Sequence, residues 1–229
     1  MAAKKRNSFL TFVMLAVIGG MVAGAYYIKT ELDARAQELA MLAQEEAERV
    51  HKQALFQGFE DILNGFVGDF AKRMTVYKKQ RRILREITQS YNFENLEDAG
   101  QNYNLFIKEM APMLRKASID VMDIFPETEA RILALLEGEA KEERAIIFDE
   151  WQGMKREQSA VYIRFFENED ALLQAYERLL KFYYVHANLY VVESDTGEIL
   201  FARPEDEEKE KQLLARISAV KKNISTLTK

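Results

Sequence analysis

The hydrophobic pattern changes period along the chain, and each change marks an element. The chain opens with an unbroken apolar stretch: residues 9–28, FLTFVMLAVIGGMVAGAYYI, carry no charge. As a helix rising 1.5 Å per residue it reaches about 30 Å, the thickness of a hydrocarbon core. The stretch predicts a single transmembrane helix. Lys4, Lys5 and Arg6 precede it, whereas Lys29 and Arg35 follow it beside Glu31 and Asp33. The excess of bases on the first side places the N-terminus in the cytoplasm and the bulk of the chain outside it, in the periplasm if the source is bacterial. Ala23-Gly24-Ala25 also fits a signal-peptide cleavage site. The apolar stretch is longer than a usual signal core and passes straight into helical sequence, so an uncleaved anchor is expected.

Beyond it the pattern is charged and weakly periodic over residues 29–57, where Leu32, Leu39, Leu42 and Val50 form an incomplete near-heptad seam. This predicts a helical stalk. From residue 58 the apolar density rises. Phe59, Leu63, Phe66, Phe70, Met74 and Tyr77 recur at three- and four-residue steps, interrupted by Gly58, Gly65 and Gly68, which predict either close helix packing or a break. Residues 92–100 read as a loop. Phe106, Met110, Met113, Ala117, Val121 and Ile124 give another stripe, which Pro112 should kink or divide. Gly138 ends a short helix, Gly153 is a possible break, and Asn168 is placed as the N-cap of a further helix with Leu172, Tyr176, Leu179 and Tyr183 on its face.

Near the end the period shortens. Residues 189–192 and 198–201 flank Ser194-Asp195-Thr196-Gly197, which predicts a β-hairpin. The last stripe, Leu213, Ile217, Val220, Ile224 and Leu227, is a two-heptad seam too short to stand alone in water. The expected fold class is therefore mainly α, with a cytoplasmic tail (1–8), a transmembrane anchor (9–28), a helical stalk (29–57), an extracytoplasmic helical bundle (58–187), one small hairpin (188–203) and a C-terminal amphipathic helix (204–229).

Composition narrows the chemistry. The chain has 229 residues, 32 Lys and Arg against 37 Asp and Glu, two His and no Cys. Absence of Cys excludes thiol catalysis, disulfides and Cys-based metal sites. A net charge of −5 gives no general argument for a nucleic-acid partner. Glu48-x-x-His51 is half of a di-iron carboxylate motif, but His186 follows Tyr183 at the matching spacing, so the second half is missing. No nucleophile motif and no phosphate-binding glycine loop is present. The expectation is a non-enzymatic protein without cofactor or metal.

Three groups of residues remain. Ala16, Gly20 and Gly24 place a small residue at every fourth position of the apolar stretch, which lets membrane helices approach closely. Lys72, Arg73, Lys78, Lys79, Arg81, Arg82 and Arg85 put seven positive charges into fourteen residues; removing them from the net −5 leaves −12 elsewhere. On an α-helix Lys78, Arg82 and Arg85 share a side, suiting an anionic lipid, polymer or acidic partner, while the plainer reading is a solvated face balanced by acids such as Glu205 to Glu208. Tyr162, Phe166, Tyr176, Tyr183 and His186 are the candidate pocket, although aromatics at this spacing are ordinarily core. Residues 189–201, LYVVESDTGEILF, are similar to the strand pairs of extracytoplasmic sensor domains of the Cache or PAS kind, a likeness confined to that segment. Two functions follow as expectations. The first is a membrane-anchored scaffold that binds envelope proteins or its own copies through helix–helix contacts. The alternative is a ligand-binding sensory module that signals through a partner.

Overall fold

The computed structural model describes Gly20, Met21, Gly24, residues 27–30, 45–193 (45–48 as backbone only) and 195–227. Most of the expected anchor, including Ala16, and most of the expected stalk lie outside the described residues. Among the described residues no helix is long and apolar enough to cross a membrane. The chain is mainly helical, with one two-stranded antiparallel sheet near the C-terminus. The elements are α1 (Glu45–Arg81), 3-10 turns at Arg82–Arg85 and Ser90–Phe93, α2 (Leu96–Leu105), a π-helical turn (Phe106–Met110), α3 (Ala111–Met122), α4 (Ile124–Leu135), α5 (Lys141–Val185), β1 (Tyr190–Val192), β2 (Ile199–Phe201) and α6 (Pro204–Leu227).

Several boundaries differ from the sequence reading, for local reasons. α1 runs through Gly58, Gly65 and Gly68 without a break. Only Gly58 is closely covered: a Cβ there would meet Leu135 Cδ1 at 2.8 Å, whereas Gly68 faces open space. α5 is likewise one helix through Gly153 and Asn168. Asn168 is not an N-cap, because its amide donates to the Arg164 carbonyl one turn back at 2.8 Å. The loop expected over residues 92–100 instead holds the end of the second 3-10 turn and the start of α2, capped by Asn95, whose side chain accepts from the Asp98 N–H at 2.9 Å. Pro112 sits within a run that stays helical, α then π then α, from Leu96 to Met122. It lacks the N–H that would bond to Lys108, and the chain inserts a π-helical turn just before it, with Ala111 N–H reaching Phe106 O.

Two compact units form, each from separated stretches of chain. The first comprises the chain up to Arg73 together with residues 121–162. Its core is built from the apolar stripes of α1, α4 and the first half of α5: Phe66 meets Phe125 and Trp151 edge-on at 5.4 and 5.8 Å, and Phe70 lies 4.7 Å from Tyr162. Glu129 gathers Trp151 Nε1, Gln152 Nε2 and Lys155 Nζ, and these donors hold its carboxyl below the usual range. His51 shares a hydrogen bond of 2.8 Å with Glu139, which raises the imidazole pKa. Met21 and Ile28 are buried, a Cβ at Gly24 would sit 3.0 Å from Met154 Sδ, and the Lys29 ammonium lies over the Phe56 ring.

The second unit comprises residues 74–120 and 163–229. The second half of α5 presents Phe165, Phe166, Leu172, Leu173, Tyr176, Leu179, Leu180 and Tyr183 as buried positions. The hairpin pairs Tyr190 with Phe201, Val191 with Leu200 and Val192 with Ile199, close to the predicted strands. Gly197 at φ +70° makes its turn, beside Ser90. The C-terminal seam docks on its own chain: Ile217, Val220 and Ile224 are buried, Lys221 lies over the Tyr176 ring at 5.3 Å, and Tyr183 donates to Glu210 at 2.6 Å.

Candidate functional site

The chemistry of the second unit concentrates at the end of α1. Met74 and Tyr77 are buried there, and Arg81, one turn beyond Tyr77, lies on the same side of the helix. Both polar groups reach Glu169 of α5. The Tyr77 hydroxyl donates to Glu169 Oε2 at 2.8 Å and Arg81 Nε donates to the same oxygen at 2.6 Å. The Glu169 side chain is 4% exposed, so this is a buried carboxylate neutralised by one guanidinium. Its other oxygen, Oε1, has no hydrogen-bond partner among the described residues. Burial, reinforced by the Glu169 charge, pushes the Tyr77 phenol far above its ordinary value. The phenol therefore stays neutral and acts as a donor. This cluster fixes the end of α1 to α5.

The seven basic residues separate into different roles. Lys72 is exposed and Arg73 pairs with Glu127, both within the first unit. Arg81 is taken by Glu169. Lys78 is half-buried, and burial lowers its ammonium pKa. Lys79, Arg82 and Arg85 are exposed. The acids proposed to balance them are engaged elsewhere: Glu205 and Asp206 with Arg203, Glu207 with Lys211, and Glu208 with the Gln212 amide. The side shared by Lys78, Arg82 and Arg85 on an ideal α-helix is also altered, because the helix tightens to 3-10 geometry at Arg82.

The candidate pocket residues are divided between the two units. Tyr162 belongs to the first unit, on Phe70, with its buried hydroxyl lacking a partner among the described residues and its phenol pushed up to about 12 by burial. In the second unit Phe166 packs on Tyr77, Tyr176 under Lys221, and Tyr183 between Phe93 and Tyr190. His186 stands apart: Nδ1 donates to the Phe182 carbonyl at 2.9 Å, and Nε2 lies 3.6 Å from Asp206 Oδ1. The aromatic cluster is core. An open groove of about 570 Å³ lies elsewhere in this unit, lined by α2, the π-helical turn and Tyr184. None of the five expected residues lines it.

Of the small-residue set, Gly20 is exposed with open space around it, Gly24 faces Met154, and Ala16 is outside the described residues. Among the described residues no three metal-ligating side chains converge. Sequence reading missed Glu169, yet its signal was present. It lies three to four residues after Phe165 and Phe166 and before Leu172 and Leu173, which places a carboxylate on the buried stripe.

These features define a class, a mainly helical chain of two units ending in a hairpin and a docked amphipathic helix. Compared with models of known protein families, with characterised proteins and with solved structures, the chain matches none.

Proposed function

We propose that this chain is a single-pass membrane protein that serves as a non-enzymatic scaffold or assembly component of an envelope complex, with residues 9–28 as its anchor and its bulk on the non-cytoplasmic side. One observation carries the reading: twenty consecutive residues without a charge, led by Lys4, Lys5 and Arg6. The Ala16, Gly20 and Gly24 spacing supports association through helix–helix contacts at that segment. The apolar seam of α6 is docked on its own chain, which leaves the small-residue face of residues 9–28 as the apolar surface that recruits.

The test is the behaviour of the full chain in membranes. The anchored form resists alkaline carbonate extraction, keeps a C-terminal tag on the non-cytoplasmic side, and becomes extractable when residues 9–28 are deleted. In the same membranes, Ala16→Leu with Gly20→Leu abolishes recovery of copurifying chains while leaving the protein membrane-bound. Carbonate release of the intact full chain, with Gly24 remaining against Met154 in the first unit, overturns the anchor. Unchanged copurification overturns the association surface.

A further inference from the structure

We propose that Lys79, Arg82 and Arg85 form a binding row for a ligand carrying consecutive phosphate groups, independent of the anchor reading. The argument begins with backbone geometry. In a 3-10 helix side chains three apart eclipse one another, so Arg82 and Arg85, the first and last residues of the turn Arg82–Arg85, stand one above the other. At a rise of about 2 Å per residue their origins are roughly 6 Å apart. Lys79 stands three residues earlier, in the last turn of α1. An α-helical continuation would have fanned Arg82 and Arg85 apart; the tightened turn aligns these two, and Lys79 adjoins them from the last turn of α1.

The row is also rigid. Its inward neighbours Leu84 and Ile87 are buried, and Arg81 just before it is clamped on Glu169. The chain beyond is tied back: the Gln89 amide donates to the Arg85 carbonyl at 3.0 Å, Asn92 to the Glu86 carbonyl at 2.7 Å, and the buried Asn102 to the Ile87 carbonyl at 2.8 Å. With the backbone already fixed, binding an oxyanion orders only the side chains.

Finally, the row is unneutralised. Among the described residues Lys79, Arg82 and Arg85 have no carboxylate within ion-pair distance, although the chain carries more acids than bases and the acids of α6 lie in the same unit. Eclipsed like charges repel, and an anion bridging them relieves that repulsion. Arginine forks match phosphate oxygens two at a time, which favours phosphate over an acidic peptide as the ligand.

The experiment uses the purified full chain in non-ionic detergent, titrated with inorganic polyphosphate and, separately, with a glycerol-phosphate oligomer. Arg82→Gln with Arg85→Gln is expected to weaken polyphosphate binding at least tenfold. Arg178→Gln with Lys181→Gln, which removes two exposed cations from α5, is expected to change it less than twofold. Arg82→Lys with Arg85→Lys keeps the charge and loses the fork, and should fall between. Binding of both ligands, or of either alone, that the Arg82/Arg85 double variant weakens supports the row and identifies free polyphosphate or a phosphodiester polymer as its source. Equal binding by the Arg82/Arg85 double variant and the unaltered chain overturns the proposal, as does poly-glutamate binding as tightly as polyphosphate. The variants' unfolding midpoints, expected to be unchanged because both side chains are exposed, separate lost binding from lost fold.

Discussion

A carboxylate taken out of water is held in place only by the charge opposite it, and Glu169 has one such partner, Arg81, whose side chain is 34% exposed. Removing that partner strands the carboxylate. Arg81→Met is expected to destabilise the chain by about 2–4 kcal/mol, near the lower end for a broken buried pair because the arginine is partly in water. Replacing the whole cluster, with Tyr77→Phe, Arg81→Met and Glu169→Leu together, should recover most of the stability. Urea unfolding at neutral pH checks both; a triple variant no more stable than Arg81→Met alone would sink the account. Glu210 shows the opposite balance. Burial raises its carboxyl pKa above 4.5 despite the Tyr183 hydrogen bond. A raised folded pKa means stability present below the unfolded value and lost as pH rises through the folded one. Glu210→Gln, which can still accept from Tyr183, should therefore raise the urea midpoint at pH 7 and leave it nearly unchanged below pH 4. The sequence marks Glu169 as a carboxylate on an apolar stripe. It cannot show the partner, because Tyr77 and Arg81 lie 92 and 88 residues away.

At the scale of elements, periodicity placed the stripes well and their interruptions poorly. The stripes of α1 and α5 continue unbroken past Gly65, Gly68, Gly153 and Asn168. Tertiary burial on either side outweighs one weak residue, which costs about 1 kcal/mol in a helix interior. This gives a direct comparison among the glycines of α1. Gly68→Ala, at an exposed site facing open space, should stabilise by up to about 1 kcal/mol. Gly58→Ala should gain less or lose, because its new methyl meets Leu135. Thermal unfolding of the two variants orders them, and equal gains would show that the Leu135 contact is not constraining. The π-helical turn was legible only as a disturbance near Pro112, since the sequence reports a missing N–H but not how the backbone absorbs it. For the basic residues, spacing assumed one helical pitch throughout, and the change of pitch at Arg82 decides which cations align.

At the scale of the whole molecule, the hairpin and the docked terminal helix were close to their predicted places because both patterns are local. The partition into two units was not legible. It depends on which distant stripes meet, and stripes of similar width on several helices leave that pairing open. Because residues 121–162 complete the first unit and residues 163–229 the second, a cut between α4 and α5 leaves both units built from both fragments. Glu137 and Gly138 are exposed there, with Gly138 at φ +90°. A protease site inserted at that turn should give two fragments that co-elute under native conditions and part only in denaturant. Separate elution after cutting would mean that each fragment folds alone.

The same interleaving sets an order of events during synthesis. The α1 face that carries Phe59, Phe66 and Phe70 is made early, but its partners around Phe125 and Trp151 are encoded much later, with the helices of the other unit between them. At roughly 5–20 residues per second, the wait from Arg73 to Tyr162 lasts about 5–20 s. For that interval a row of phenylalanines stands in water with no native partner. Transiently exposed apolar surface of this kind is prone to aggregation, so the hazard belongs to the chain during synthesis and passes once α5 is made.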